Sequence, residues 1–314
     1  MSGRYPRIAM VVGSAVVALV LPRVIYSVLA LDILLWALFA MSVDLLVGYV
    51  GLLSFGHAAF WGGAAYVAAL LARDLRLAFP LAALAGVLAA MALAVPVGYL
   101  SIRRRGIYFA MVTLAFAQML FYLVNELRGV TGGENGVQGV PRLLWGVSVT
   151  RPGDFYYAAL PLVLLGYLAV YRVTRSPFGH VLAAIRDNEA RAQALGYPTP
   201  RYKLVAFVLS AGIAGLAGSL YAIGHGFASL DLLHWTTSGT VVLMVVLGGT
   251  GTLWGSLVGA AIVLFLRDQL SSVTEASDAV TGAILIAIVL GFRRGLWRSL
   301  AALPARAVRR LART

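Results

Sequence analysis

Apolar residues in this chain gather into runs of about 15 to 25, and charged residues keep to the gaps between them. As helix, a run of that length crosses a hydrocarbon core roughly 30 Å thick. Only 12% of the residues are charged and 61% are hydrophobic, whereas a soluble domain carries about 25% charged residues. That distribution excludes a water-soluble fold and a disordered chain. A closed β-barrel is excluded too, because its strands alternate apolar and polar residues, while Leu204–Leu209 and Val241–Leu247 are continuously apolar. The chain has no cysteine, so there is no disulfide or thiolate chemistry to consider. The reading is an all-α polytopic membrane protein.

About ten transmembrane helices are expected, near 8–22, 24–46, 57–72, 79–100, 107–124, 155–171, 204–223, 237–250, 253–266 and 279–292. The net charge of +13 is placed asymmetrically across them. With the N-terminus inside, eighteen Lys and Arg fall in inner segments and seven in outer ones. Basic residues accumulate in cytoplasmic loops, so both termini are expected to be cytoplasmic. The basic tail, 293–314, then serves as an anchor to anionic headgroups, not as a nucleic-acid site. The first segment has a basic start and a Val28-Leu29-Ala30 pattern suited to cleavage. Apolar character resumes at once from Leu31, so it is read as an uncleaved first span.

Residues 1–314 form one transmembrane domain, in which the few polar interruptions stand out. Residues 125–154 are the longest outer loop and 172–203 the longest inner segment. Two glycine-rich stretches, Gly48–Gly56 and Gly248–Gly255, each lie at the inner end of one apolar run and lead into the next. The residues leave two readings open: an internal repeat of broken helices, of the kind that marks transport pathways, or two similar tight turns.

The inner segment has the marks of a docking helix. Ser176-Pro177 is an N-cap with proline at the first helical position, and Gly196 with Pro198 is a stop. Leu182, Ile185, Ala192 and Leu195 share one face, and Asp187 with Arg191 forms an i,i+4 pair. Such a helix rests on headgroups or inserts into a groove on a partner; composition does not separate the two.

Asp32 lies within a span, where a carboxylate needs water or a partner; it is a pathway or helix-pairing candidate. Asp44, near an inner boundary, is read as solvated. His57 is read as hydrogen-bonded structure. His225, Asp231 and His234 match no strong ligand spacing and are read as outer loop, so no metal site is expected. Gly251, Gly255 and Gly259 recur every four residues, as do Ala211 with Gly215 and Ala214 with Gly218; small residues at that spacing let helices approach closely. The single lysine, Lys203, follows Tyr202, so there is no G-x-x-x-x-G-K-[ST] phosphate loop. No catalytic set is found. Any energy input comes from an ion gradient or from another subunit.

Five stretches together carry a family resemblance: Gly48–Phe60, Arg105–Phe116, Thr131–Pro141, Ser176–Leu220 and Val246–Gly255. In that order they resemble the M-type permease subunit of branched-chain amino acid ABC importers. The resemblance implies an ABC importer permease bundle in a bacterial inner membrane, working by alternating access. It implies an H-type permease partner, two cytoplasmic ATPases that bind ATP and Mg, and an extracytoplasmic solute-binding protein; this chain itself would bind no cofactor and catalyse no reaction. Residues 176–200 would be the coupling loop, with Ile185, Arg186, Asp187, Glu189, Ala190 and Gly196 facing the ATPase. Here the glycine follows the glutamate by seven residues, one more than in the commoner importer pattern. The implied substrate is a branched-chain or related hydrophobic amino acid; relatives carrying urea, amides or aromatic acids are the alternative, and a gradient-driven secondary transporter is a rival class. Asp32, Ser54, Phe55, His57, Tyr108 and Thr113 are the pathway candidates.

Overall fold

The structure is a computed structural model that describes residue 13 and residues 17–271, 277–291 and 295–297. The expected span 8–22 and the basic tail 293–314 lie largely outside the described residues. The described residues are all-α apart from four two-residue strands. Residues 17–24 are helical. The longer helices are α1 (Ser27–Asp44), α2 (His57–Asp74), α3 (Phe79–Ser101), α4 (Ile107–Glu126) and α5 (Pro152–Arg175). Then come α6 (Pro177–Asp187), α7 (Glu189–Ala194), α8 (Thr199–His225), α9 (Trp235–Gly248), α10 (Leu253–Ser271) and α11 (Ser277–Gly291).

Nine of the expected spans therefore fall on helices, but not all are of membrane length. Among the described residues six helices are long and apolar enough to cross a bilayer: α1 with its extension to Val50, α3, α4, α5, α8 and α10. Helix α9 has 14 residues, about 21 Å at 1.5 Å per residue, short of a roughly 30 Å core. Helix α2 begins at His57, the start of the expected span 57–72, after residues 51–56 run as irregular backbone.

Helix α8 is the central strut, packed on α3 and α2 along one side and on α1 and α5 along another. Small residues make this possible. A Cβ on Gly215 would come within 2.6 Å of the Ala90 Cβ, and one on Gly218 would overlap the Trp61 carbonyl. Helix α10 packs on α1 and α9 in the same way, since a Cβ on Gly259 would overlap the Met244 carbonyl. Gly251 does not belong to that helix stripe; it sits in the turn before α10 with φ 74°.

The helices define two ends. One carries residues 102–106, α6 and α7, and the glycine turns. The other carries residues 127–151 and 226–234, where β1 (Val137–Gln138) pairs antiparallel with β4 (Phe227–Ala228), Val137 opposite Ala228. Beside it β2 (Leu143–Leu144) and β3 (Val147–Ser148) close over Trp145-Gly146, both at positive φ, as a right-twisted two-residue hairpin requires.

Candidate functional site

The surface segment is two helices, not the single one its periodicity predicts. Ser176 Oγ caps α6 by accepting from Gly179 N, as the Ser-Pro pair implies. At Asn188 the backbone turns extended (φ −161°, ψ 100°), and the Asn188 side chain caps α7 by accepting from Arg191 N at 2.9 Å. The break separates the expected Asp187–Arg191 pair; Asp187 binds Arg186 instead, at 3.1 Å. Leu182, Ile185 and Ala192 do share a face, but that face is buried against this chain's own residues and not left open for headgroups or a partner's groove, so Ile185 does not face outward; Leu195, beyond the break, is 73% exposed. Arg186, Asp187, Ala190 and Gly196 face outward.

Glu189 fastens this segment to the bundle. Its Oε1 accepts from the Lys203 ammonium at 2.5 Å and from Thr199 Oγ1 at 3.2 Å, and its Oε2 faces Arg105 Nε at 3.4 Å. The Gln193 amide completes the net by donating to Thr199 at 2.9 Å. Partial burial alone would raise the Glu189 carboxyl. The Lys203 hydrogen bond and charge, the Arg105 charge and the Thr199 hydroxyl outweigh it and hold the group below its ordinary value. Sequence reasoning singled out Glu189 but missed Lys203, Thr199 and Arg105; the signal was the chain's single lysine, placed five residues beyond the stop at Pro198.

Arg186 makes the second attachment. Its guanidinium donates to the Gly48 carbonyl, and Gly51, left-handed at φ 79°, lies under its side chain. Gly48 in turn abuts Gly251, and Asp44 Oδ1 accepts from Gly251 N at 2.7 Å. Asp44 is thus fully buried, not solvated, because the two glycine turns close around it. The turns differ in form. The second is a tight link between α9 and α10. The first is a π-helical stretch, Leu45–Val50, followed by irregular chain.

That irregular chain is partly buried, through Leu52, Ser54 and Gly56, and it draws hydrogen bonds from neighbouring helices, the condition for non-helical backbone at membrane depth. Phe55 N donates to Thr113 Oγ1 at 3.2 Å and Ala58 N to Ser238 Oγ at 2.8 Å. His57 is fully buried between Ser54 Oγ (3.0 Å) and Ser210 Oγ (2.8 Å). The Ser210 hydroxyl proton goes to the Ser42 carbonyl at 2.5 Å, so His57 Nε2 must carry the proton it shares with Ser210. Nδ1 is then the acceptor for Ser54. Phe55 is half-buried and Tyr108 is 68% exposed on α4.

At the other end Asp32 Oδ1 meets His225 Nε2 at 2.7 Å. His225 closes α8 and is not a loop residue; Tyr221 stacks over it with centroids 4.2 Å apart. His234 Nδ1 binds Thr236. Among the described residues no group of three His, Cys, Asp or Glu is placed to hold a metal.

The family model for the permease component of branched-chain amino acid transport systems matches residues 25–289. The chain belongs to that family. This permease is 31% identical over 291 residues to the high-affinity branched-chain amino acid transport system permease protein LivM of Salmonella typhimurium, an alignment covering 84% of this chain and 68% of the relative. The LivM of Escherichia coli is 30% identical over the same shares. The corresponding LivH of Escherichia coli is 26% identical over 284 residues, covering 83% of this chain and 90% of the relative. No solved structure matches. As a permease of this family the chain is a multi-pass membrane protein and a transport component, and nucleotide hydrolysis belongs to separate subunits.

Proposed function

We propose that this permease is one of two membrane halves of an ATP-driven importer for branched-chain amino acids in a bacterial inner membrane. Its partners are a LivH-like permease, two cytoplasmic ATPases holding ATP and Mg, and an extracytoplasmic solute-binding protein. About ten spans, both termini cytoplasmic, put α6 and α7 on the ATPase side and residues 125–154 on the binding-protein side. The excess of Lys and Arg in the inner segments supports that orientation.

One observation carries the mechanism. The surface segment is tied to the start of α8 through Glu189 and Lys203, and to the first glycine turn through Arg186 and Gly48. Asp44 extends the connection to the second turn. A displacement of α6 and α7 by an ATPase closing on nucleotide is therefore delivered to α1, α8 and α10 together. These tilt and re-expose the path on the other side. The outward residues Arg186, Asp187, Ala190 and Gly196 meet the ATPase, and Ile185 anchors the helix that presents them. Ser54, Phe55, His57, Thr113 and Tyr108 flank the break that opens, and Asp32 lies at the far mouth.

The test is reconstitution of the full importer with Glu189→Gln and Arg186→Ala permeases, measuring ATP hydrolysis and leucine uptake together. Uptake per ATP falls at least tenfold while membrane insertion is unchanged. Normal uptake and normal hydrolysis in both variants would sink the coupling assignment. Uptake persisting in vesicles without ATPase would instead favour a gradient-driven transporter.

A further inference from the structure

We propose that the groove bounded by α3, α5 and α8 binds an anionic phospholipid, its headgroup phosphate between Arg103 and Arg201 and an acyl chain lying along α8. The groove is open along one side, holds about 330 Å³ and is lined in part by Gly166 and Gly212. Its walls are apolar: Leu84 and Met91 on α3, Leu165 on α5 and Leu209 on α8. Toward the end that carries α6, a second recess of about 210 Å³ lies between α3 and α8, and there Arg103 and Arg201 join Tyr99 and Leu204 in its wall.

The two recesses share one stripe of sequence. On α8, Arg201, Val205, Val208, Gly212 and Leu216 recur at spacings of four, three, four and four. On α3, Leu84, Val87, Met91, Val95 and Tyr99 recur at three, four, four and four. Val95 and Val205, between the recesses, are each 48% exposed. From Arg201 to Leu216 is about 22 Å of helix, half of a bilayer roughly 40–45 Å thick with its headgroups. The basic pair thus sits at headgroup depth when the groove reaches the midplane.

Charge selects the occupant. Arg103 is held over the Tyr99 ring, 4.5 Å from its centre. Among the described residues neither Arg103 nor Arg201 pairs with a carboxylate, and the nearest acidic group in the segment, Glu189, is taken by Lys203 and Arg105. A partner helix seated here would cover two unpaired guanidiniums. The ends of this chain outside the described residues are themselves basic, with Arg4 and Arg7 in one and Arg306, Arg309 and Arg310 in the other. A ligand with one phosphate and a long apolar tail satisfies both recesses, and basic pockets between membrane helices favour such headgroups.

The test uses the full-length chain in detergent, with lipid retention read by native mass spectrometry and stability by thermal midpoint. The probes are dioleoyl phosphatidylglycerol, dioleoyl phosphatidylcholine, dihexanoyl phosphatidylglycerol and inorganic phosphate. The long-chain anionic lipid is retained at least tenfold over the zwitterionic one and raises the midpoint most. The Arg103→Ala/Arg201→Ala chain retains the two within twofold of each other, and the Arg103→Lys/Arg201→Lys chain keeps most of the preference. Ala169→Trp, which fills the groove from an exposed position, cuts retention of the long-chain lipid about fivefold and spares the short-chain one. Equal retention of both dioleoyl lipids by the unaltered chain overturns the proposal. So does protection by phosphate equal to that by lipid, which would make this an anion site only. If the double alanine chain fails to fold, the lysine pair and Ala169→Trp decide.

Discussion

Asp44 Oδ1 accepts the backbone N–H of Gly251 at 2.7 Å, across 207 residues of sequence. This bond makes one structural unit of the turn after α1 and the turn before α10. Asp44→Ala leaves the Gly251 N–H without that acceptor in a buried place, a loss of about 1–3 kcal/mol. The expected result is a lower thermal midpoint with insertion intact, and leucine uptake reduced more than ATP hydrolysis. A midpoint and uptake equal to the parent would show that the turns hold together without it.

Glu189 and Lys203 form a pair whose lysine is 5% exposed. Glu189→Ala strands that ammonium and costs up to about 3 kcal/mol, while Glu189→Leu with Lys203→Met removes both charges and costs less. Denaturation midpoints in the order parent, double variant, Glu189→Ala check this. Reversal of the last two would mean that the packing, not the charge, matters.

The same pair sets a pH dependence. The folded Glu189 carboxyl lies below its ordinary value of 4.5. Its stabilisation is therefore complete above about pH 4.5 and is lost as pH falls through the lower folded value. Limited proteolysis between residues 176 and 203 is expected to stay constant from neutral pH to near 4.5 and to rise below it. The rise is absent in Glu189→Gln, which carries no titrating carboxyl.

Two glycines, Gly259 at the α9–α10 packing and Gly282 on α11, separate steric need from helix propensity. Gly259→Ala drives a methyl into the Met244 carbonyl and costs about 1–3 kcal/mol or more. Gly282→Ala on α11 meets nothing within 4 Å and gains about 0.5–1 kcal/mol of helix stability. Folded yield by size exclusion should fall for the first and hold or rise for the second.

His57→Ala removes the group between Ser54 and Ser210. It leaves two buried hydroxyls short of a partner and opens a void, a loss of about 2–4 kcal/mol. The variant should aggregate or melt early, and His57→Gln should recover part of the loss. If His57→Ala melts with the parent, the node contributes nothing to the broken segment.

Helix existence was legible because bilayer thickness sets the length of each apolar run, and residues 79–100 and 107–124 became α3 and α4 almost to the residue. The pairs that make the site were not. Asp32 finds His225 193 residues away, and Arg186 finds Gly48 138 residues away; no local pattern encodes such distances. The break at Asn188 had a local signal, an asparagine before a glutamate, but the apolar face continuing to Ala192 masked it. Asp44 misled for a physical reason: a carboxylate near a boundary is well solvated until a backbone N–H from a distant turn covers it.

Helix α8 carries Lys203 near its start and His225 at its end, on an unbroken rod of about 40 Å. A rod of that length turns angle into distance. Leaning it by about 5° about the Lys203 anchor, about 33 Å from His225, carries the Asp32 partner sideways by roughly 3 Å, enough to part a 2.7 Å contact. A small push on one face of the membrane can thus unlatch the opposite face with no messenger other than stiffness.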